Sequence, residues 1–108
     1  MEVYEAIRTV LAVREFQSRP VPQDVIQKII ESARLTASSK NGQPWNFVII
    51  QNRDTLMKLG SLVKPGPYNA QAAFSIAVAI EKSSPFGISD ASRAIQSMVL
   101  TAWAEGVG

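Results

Sequence analysis

Only two stretches of this chain have the length and side-chain chemistry of β-strands, Phe47–Ile50 (FVII) and the apolar run Phe74–Ile80 (FSIAVAI). Everywhere else the apolar residues recur at helical spacing. A sheet usually needs at least about three strands with an apolar face, or extensive helix cover, to stand alone. The inventory therefore predicts an α+β domain that further chain completes, supplied by a second subunit or by a longer domain. The glycines of Glu105-Gly106-Val107-Gly108 read as a helix C-terminus or a turn leading onward. The expectation is one domain over residues 1–108 that lacks its C-terminal part.

The helical segments follow from periodicity and breakers. Val3, Ile7, Val10 and Leu11 share one face, so an amphipathic helix over residues 2–13 should turn that stripe to a core. Arg14 lies just past its end. In EFQSRPVP, Pro20 and Pro22 each bias the preceding residue toward extended backbone. Pro22 suits a first helical position, and Asp24 then stands in the first turn, favourable to the helix dipole. That second helix carries Val25, Ile26, Ile29, Ile30 and Ala33 on one face and ends near Thr36. Asp54 or Thr55 is the expected cap of a third helix, with Leu56, Met57, Leu59, Leu62 and Val63, which Lys64-Pro65-Gly66-Pro67 stops. Ser89 is expected to cap a fourth, with Ala91, Ile95, Met98, Val99, Ala102 and Trp103 on its buried side. The order is helix, helix, strand, helix, strand, helix.

Composition removes several kinds of chemistry. The chain has no cysteine and no histidine, so it holds no disulfide, no thiolate nucleophile and neither of the commonest soft or imidazole metal ligands. Its net charge of +2 comes from Lys and Arg scattered among acids rather than gathered in a stripe with aromatic platforms, which argues against nucleic acid as a partner. The N-terminal MEVYEAIRTVL is charged and amphipathic, and no apolar run approaches the ~18 residues of a membrane span. A cytoplasmic protein without membrane contact is expected.

The informative stretch is SSKNGQPWNFVII, Ser38 to Ile50, which places hydrogen-bonding side chains and a large aromatic at the mouth of a strand. Taken alone, Ser38, Ser39, Asn41 and Gly42 read equally as a helix stop and Trp45 as core. In its context, VREFQSRPVPQDVIQKIIESARLTASSKNGQPWNFVII resembles the N-terminal portion of the nitroreductase family of FMN-dependent oxidoreductases. That pattern is a basic residue, an extended Val-Pro turn, a helix, and a Pro-Ser-x-x-Asn-x-Gln-Pro-Trp loop leading into a strand. Asp90-Ala91-Ser92, Ile95-Gln96-Ser97-Met98 and Ala102 to Gly106 are similar to the family's dimer-forming central helix.

The resemblance implies an α/β sandwich, an antiparallel sheet flanked by helices, incomplete in this chain. It implies that Ser38, Ser39 and Asn41 line a flavin site and reach FMN held mainly by the other subunit of a homodimer. Gln43, with Pro44 and Trp45, fixes the loop at the strand and joins the cofactor-binding set. Arg14 is implied to bind the phosphate or to stabilise negative charge on the reduced ring, and Asn69 in PYNAQAAF to face the flavin. The implied activity moves electrons from NAD(P)H through FMN to a small acceptor such as a nitroaromatic or quinone. FMN carries that chemistry, so no side chain need be strictly catalytic.

One departure bears on affinity. Where the family usually carries basic residues followed by Ser or Thr to grip the FMN phosphate, this chain has Val10-Leu11-Ala12. Each missing charge-assisted hydrogen bond is worth about 1.5–3 kcal/mol. The alternative is a shortened, non-catalytic relative serving as a ligand-binding or dimerisation module.

Overall fold

The computed structural model describes all of residues 1–108. Its elements are α1 (Val3–Thr9), α2 (Gln23–Arg34), β1 (Trp45–Ile50), α3 (Arg53–Leu62), β2 (Ser75–Ile80) and α4 (Gly87–Ala104), in the expected order. Short 3-10 turns at Ser39–Asn41 and Pro67–Gln71 precede the two strands. β1 and β2 pair antiparallel, Trp45 opposite Ile80 and Ile50 opposite Ser75, in a two-stranded sheet. β1 starts earlier than Phe47 because Trp45 is in register, and Glu81 N–H continues the ladder by donating to the Pro44 carbonyl.

The core lies where α2 and α4 cover one face of that sheet. Ile29 and Ala33 of α2, Trp45 of β1, and Ala94 and Met98 of α4 form a buried cluster, with Phe47, Phe74, Ile76 and Val78 around it. Strand alternation puts Trp45 and Phe47 on one side of β1, their rings 5.9 Å apart. Val48 projects to the opposite, exposed face. Burying a side chain such as Ile26 or Ile29 stabilises by roughly 1.5–3 kcal/mol, and α2 supplies both, as its stripe led us to expect.

Other faces and caps differ from expectation. α1 ends at Thr9, and its inward residue is Ala6, 3% exposed, while Val3, Ile7 and Leu11 are largely exposed. The helix is held at its end, where Trp103 Nε1 donates to Thr9 Oγ1 at 2.9 Å, so the small residue rather than the large stripe meets α4. Pro22 is the N-cap of α2, not its first residue, and its carbonyl accepts from Val25 and Ile26. Asn52 caps α3 in place of Asp54 or Thr55, because its Oδ1 reaches the Thr55 amide at 3.0 Å. α4 begins ahead of Ser89, at Gly87. Its inward strip is Ala91, Ala94 and Met98, whereas Ile95 and Val99 remain 43% and 40% exposed on a second apolar strip. No helix of the chain is long and apolar enough to cross a membrane.

Candidate functional site

The Ser38–Gln43 elbow carries three non-glycine residues with left-handed backbone, Lys40 (φ 54°), Asn41 (φ 52°) and Gln43 (φ 48°). Asn tolerates that region better than most residues, and each L-residue held there costs roughly 1–2 kcal/mol. Gly42 has an ordinary φ of −72°. Hydrogen bonds hold the strained path: the Asn41 and Gly42 amides donate to the Ser38 and Ser39 carbonyls, and the Gln43 amide donates to Ser38 Oγ at 3.0 Å. Gln43 Nε2 donates to Asn41 Oδ1 at 2.7 Å. Asn41 and Gln43 are exposed, and the Asn41 NH2 and the Gln43 side-chain oxygen have no partner within the chain. Buried Pro44 and Trp45 then anchor the exit into β1.

The elbow is tied to the rest of the fold by Asp90. This carboxylate, 1% exposed in the first turn of α4, accepts at Oδ1 from the Ser39 amide (3.1 Å), Ser39 Oγ (3.2 Å) and Arg93 Nη2 (2.8 Å). The Arg93 guanidinium, followed by the Ser39 amide and hydroxyl, holds its carboxyl below the usual carboxylate range against the opposing effect of burial. Asp90 Oδ2 is buried with no hydrogen-bond partner. Sequence reasoning missed this residue. The available signal was an acid in a first helical turn, which the helix dipole alone explains.

Arg14 and Asn69 belong to a second group around the Pro67–Gln71 turn. The exposed Arg14 guanidinium stands 6.0 Å from the centroid of the Tyr68 ring, at the outer reach of a cation–π contact. Phe16 meets the same ring at 6.3 Å. Asn69 donates from Nδ2 to the Gly66 carbonyl at 2.7 Å and accepts at Oδ1 from Ser75 Oγ at 3.0 Å, so its amide ties the turn to the start of β2. Arg53 secures the same turn from α3 by donating to the Ala70 and Ala72 carbonyls. An open groove of about 580 Å³ runs beside this group, lined by Phe16, Gln17, Ser18, Arg19, Arg53 and Gln71 among others. Ser38, Ser39, Asn41 and Gln43 are thus together in one place, Arg14 and Asn69 in another, and no hydrogen bond or ring contact joins the two groups.

This helix, elbow and strand arrangement has a match over most of the chain: residues 8–82 fit the nitroreductase family. The chain belongs to the nitroreductase family. It is 34% identical over 112 residues to a Methanothermobacter thermautotrophicus protein named "Putative NADH dehydrogenase/NAD(P)H nitroreductase", a match covering all of this chain and 59% of that protein. A solved structure of the same name from Parabacteroides distasonis superposes with a TM-score of 0.91 at 28% identity, covering 96% of this chain and 63% of that one. The Bacteroides fragilis nitroreductase with bound FMN shares the fold at a TM-score of 0.84 and 21% identity, over 98% of this chain and 66% of its own. The α+β nitroreductase fold expected from sequence is therefore the fold of the chain, which spans about three-fifths of the length of the curated relatives it matches (59% and 64%).

Proposed function

We propose that the chain belongs to an FMN-dependent oxidoreductase that takes electrons from NAD(P)H and delivers them to a small oxidised acceptor such as a nitroaromatic or quinone. The observation that carries this reading is the elbow: a strained, braced loop that leaves the Asn41 and Gln43 amides facing outward with unused hydrogen-bonding groups. FMN presents a polar ring edge, a hydroxylated ribityl chain and a dianionic phosphate. Neutral amides and hydroxyls suit the first two without adding charge.

When bound, FMN would supply the hydride and electron transfer, and the residues of this chain bind and orient it. Ser38 Oγ accepts from Gln43 N–H and keeps its own proton to donate outward. Ser39 contributes mainly by bracing, since its amide and hydroxyl both engage Asp90. Arg14 forms no ion pair within the chain, so its guanidinium is free for a phosphate or for the reduced ring. Asn69 joins the site by exchanging one of its present hydrogen bonds. A homodimer completes the arrangement, supported by the exposed Ile88, Ile95 and Val99 on α4 and Val3, Tyr4 and Ile7 on α1.

A second reading, a non-catalytic ligand-binding or dimerisation module, draws on Val10-Leu11-Ala12, which offer no side-chain donor. A visible absorption spectrum of purified protein, incubated with FMN and dialysed, separates the two. Flavin bands that survive dialysis, and weaken in Arg14→Ala and Asn41→Ala, are expected of the oxidoreductase. A protein that stays colourless counts decisively against the oxidoreductase.

A further inference from the structure

We propose that Asp90 is a positioning residue, which holds the elbow from the first turn of α4 in the conformation that presents Asn41 and Gln43 to the cofactor. The identity of the ligand rests on the FMN reading above; the clamp itself rests on geometry.

Among residues 38–43 the only hydrogen bonds to another element are those from the Ser39 amide and hydroxyl to Asp90 Oδ1. Every other one closes the loop on itself. A backbone with three left-handed L-residues persists only where its surroundings over-determine it. Internal bonds shape such a loop, and its anchored exit at Pro44 and Trp45 fixes one end; neither ties its Ser39 side to the fold.

Burial of the carboxylate points the same way. An acid serving only the helix dipole gains a modest stabilisation, even when partly buried, and needs no contact with a distant loop. Asp90 is instead 1% exposed, with Oδ2 unpartnered, and burying a carboxylate oxygen without a partner is unfavourable. The compensating contacts are those on Oδ1, two from the elbow and one from Arg93. Buried Pro44 and Trp45 fix the end of the elbow at β1, and Asp90 gives its middle a hydrogen-bonded tie to α4, the helix whose second apolar strip faces outward.

The test compares wild-type protein with Asp90→Ala, Asp90→Asn and Ser39→Ala, reading amide hydrogen exchange of residues 39–43 and FMN affinity by quenching of flavin fluorescence. In Asp90→Ala, elbow amides should exchange at least about tenfold faster while α2 and the strands keep their protection. FMN affinity should fall by about tenfold or more in the same variant. Asp90→Asn keeps an oxygen for the Ser39 amide and should recover most of both losses, a rescue that loss of a merely structural acid does not give. Should Asp90→Ala fail to fold, Ser39→Ala is decisive: it must loosen the elbow and weaken FMN binding by about threefold. Elbow exchange unchanged in the folded variants, or a loosened elbow with unaltered FMN affinity, overturns the proposal. If wild-type protein binds no FMN, the FMN reading fails, and the exchange measurements alone decide the clamp.

Discussion

Lys40, Asn41 and Gln43 occupy the left-handed backbone conformations of the elbow, while Gly42, the residue best able to adopt one, keeps an ordinary φ of −72°. A Cβ added at Gly42 would lie 3.3 Å from the Ser39 carbonyl oxygen, a contact that a small local shift relieves. Gly42→Ala should therefore change stability by less than about 1 kcal/mol. Lys40→Gly should stabilise the fold by ~0.5–1 kcal/mol, since it relieves left-handed strain that exceeds the entropic cost of glycine. Thermal denaturation of both variants checks this, and a Lys40→Gly midpoint below wild type would contradict it. At this scale a contiguous string such as Ser38-Ser39-x-Asn41-x-Gln43 is legible because its members are neighbours in the chain. Asp90 was not, since its partner Ser39 is 51 residues away and nothing in local pattern announces such a contact. The left-handed conformations of Lys40 and Gln43 were hidden because hydrogen bonds within the folded loop, not the residue's own preference, hold them.

The six helices and strands were legible from periodicity and breakers, and their order is the observed one. Which side of a helix is buried was less legible. α2 has a single apolar stripe, so its face follows directly. α4 has two, and sequence reasoning merged them: Ala91 and Met98 are buried as expected, beside Ala94, but Ile95 and Val99, taken inward with them, are exposed. α1 shows its large residues outward, and only Ala6 is buried, which the stripe of Val3, Ile7, Val10 and Leu11 did not announce. Close approach governs α3. A Cβ on buried Gly60 would stand 2.8 Å from the Ala70 amide nitrogen and 2.9 Å from the Pro67 carbonyl oxygen, so α3 and the turn after it pack backbone to backbone. Gly60→Val should destabilise by about 1–3 kcal/mol through overpacking, measured as a shift in the urea midpoint. Because that turn holds Arg14's aromatic neighbour Tyr68 and the amide of Asn69, the variant should also loosen that part of the candidate site. A Gly60→Val midpoint equal to wild type would show that the turn yields.

For the whole molecule, a two-stranded sheet with helices over one face leaves apolar surface on α1, on α4 and at Val48. The sequence-level expectation that more chain would complete the fold came from counting strands, and the surface so exposed shows where such completion would add burial. A second copy meeting the outer strip of α4 would cover Ile88, Ile95 and Val99 together. Ile95→Asp with Val99→Asp should then convert a dimer to a monomer in native mass measurement while leaving the helical signal intact. A native mass unaffected by both charges would exclude that face as the interface. The central claim, that the elbow exists to hold FMN, is met most directly by titrating the protein with FMN and following the side-chain amide resonances of Asn41 and Gln43. The expected result is a saturable shift of these resonances beyond that of surface amides such as Gln23 and Gln27. If FMN leaves them in place, or moves all exposed amides alike, the elbow is not a flavin site.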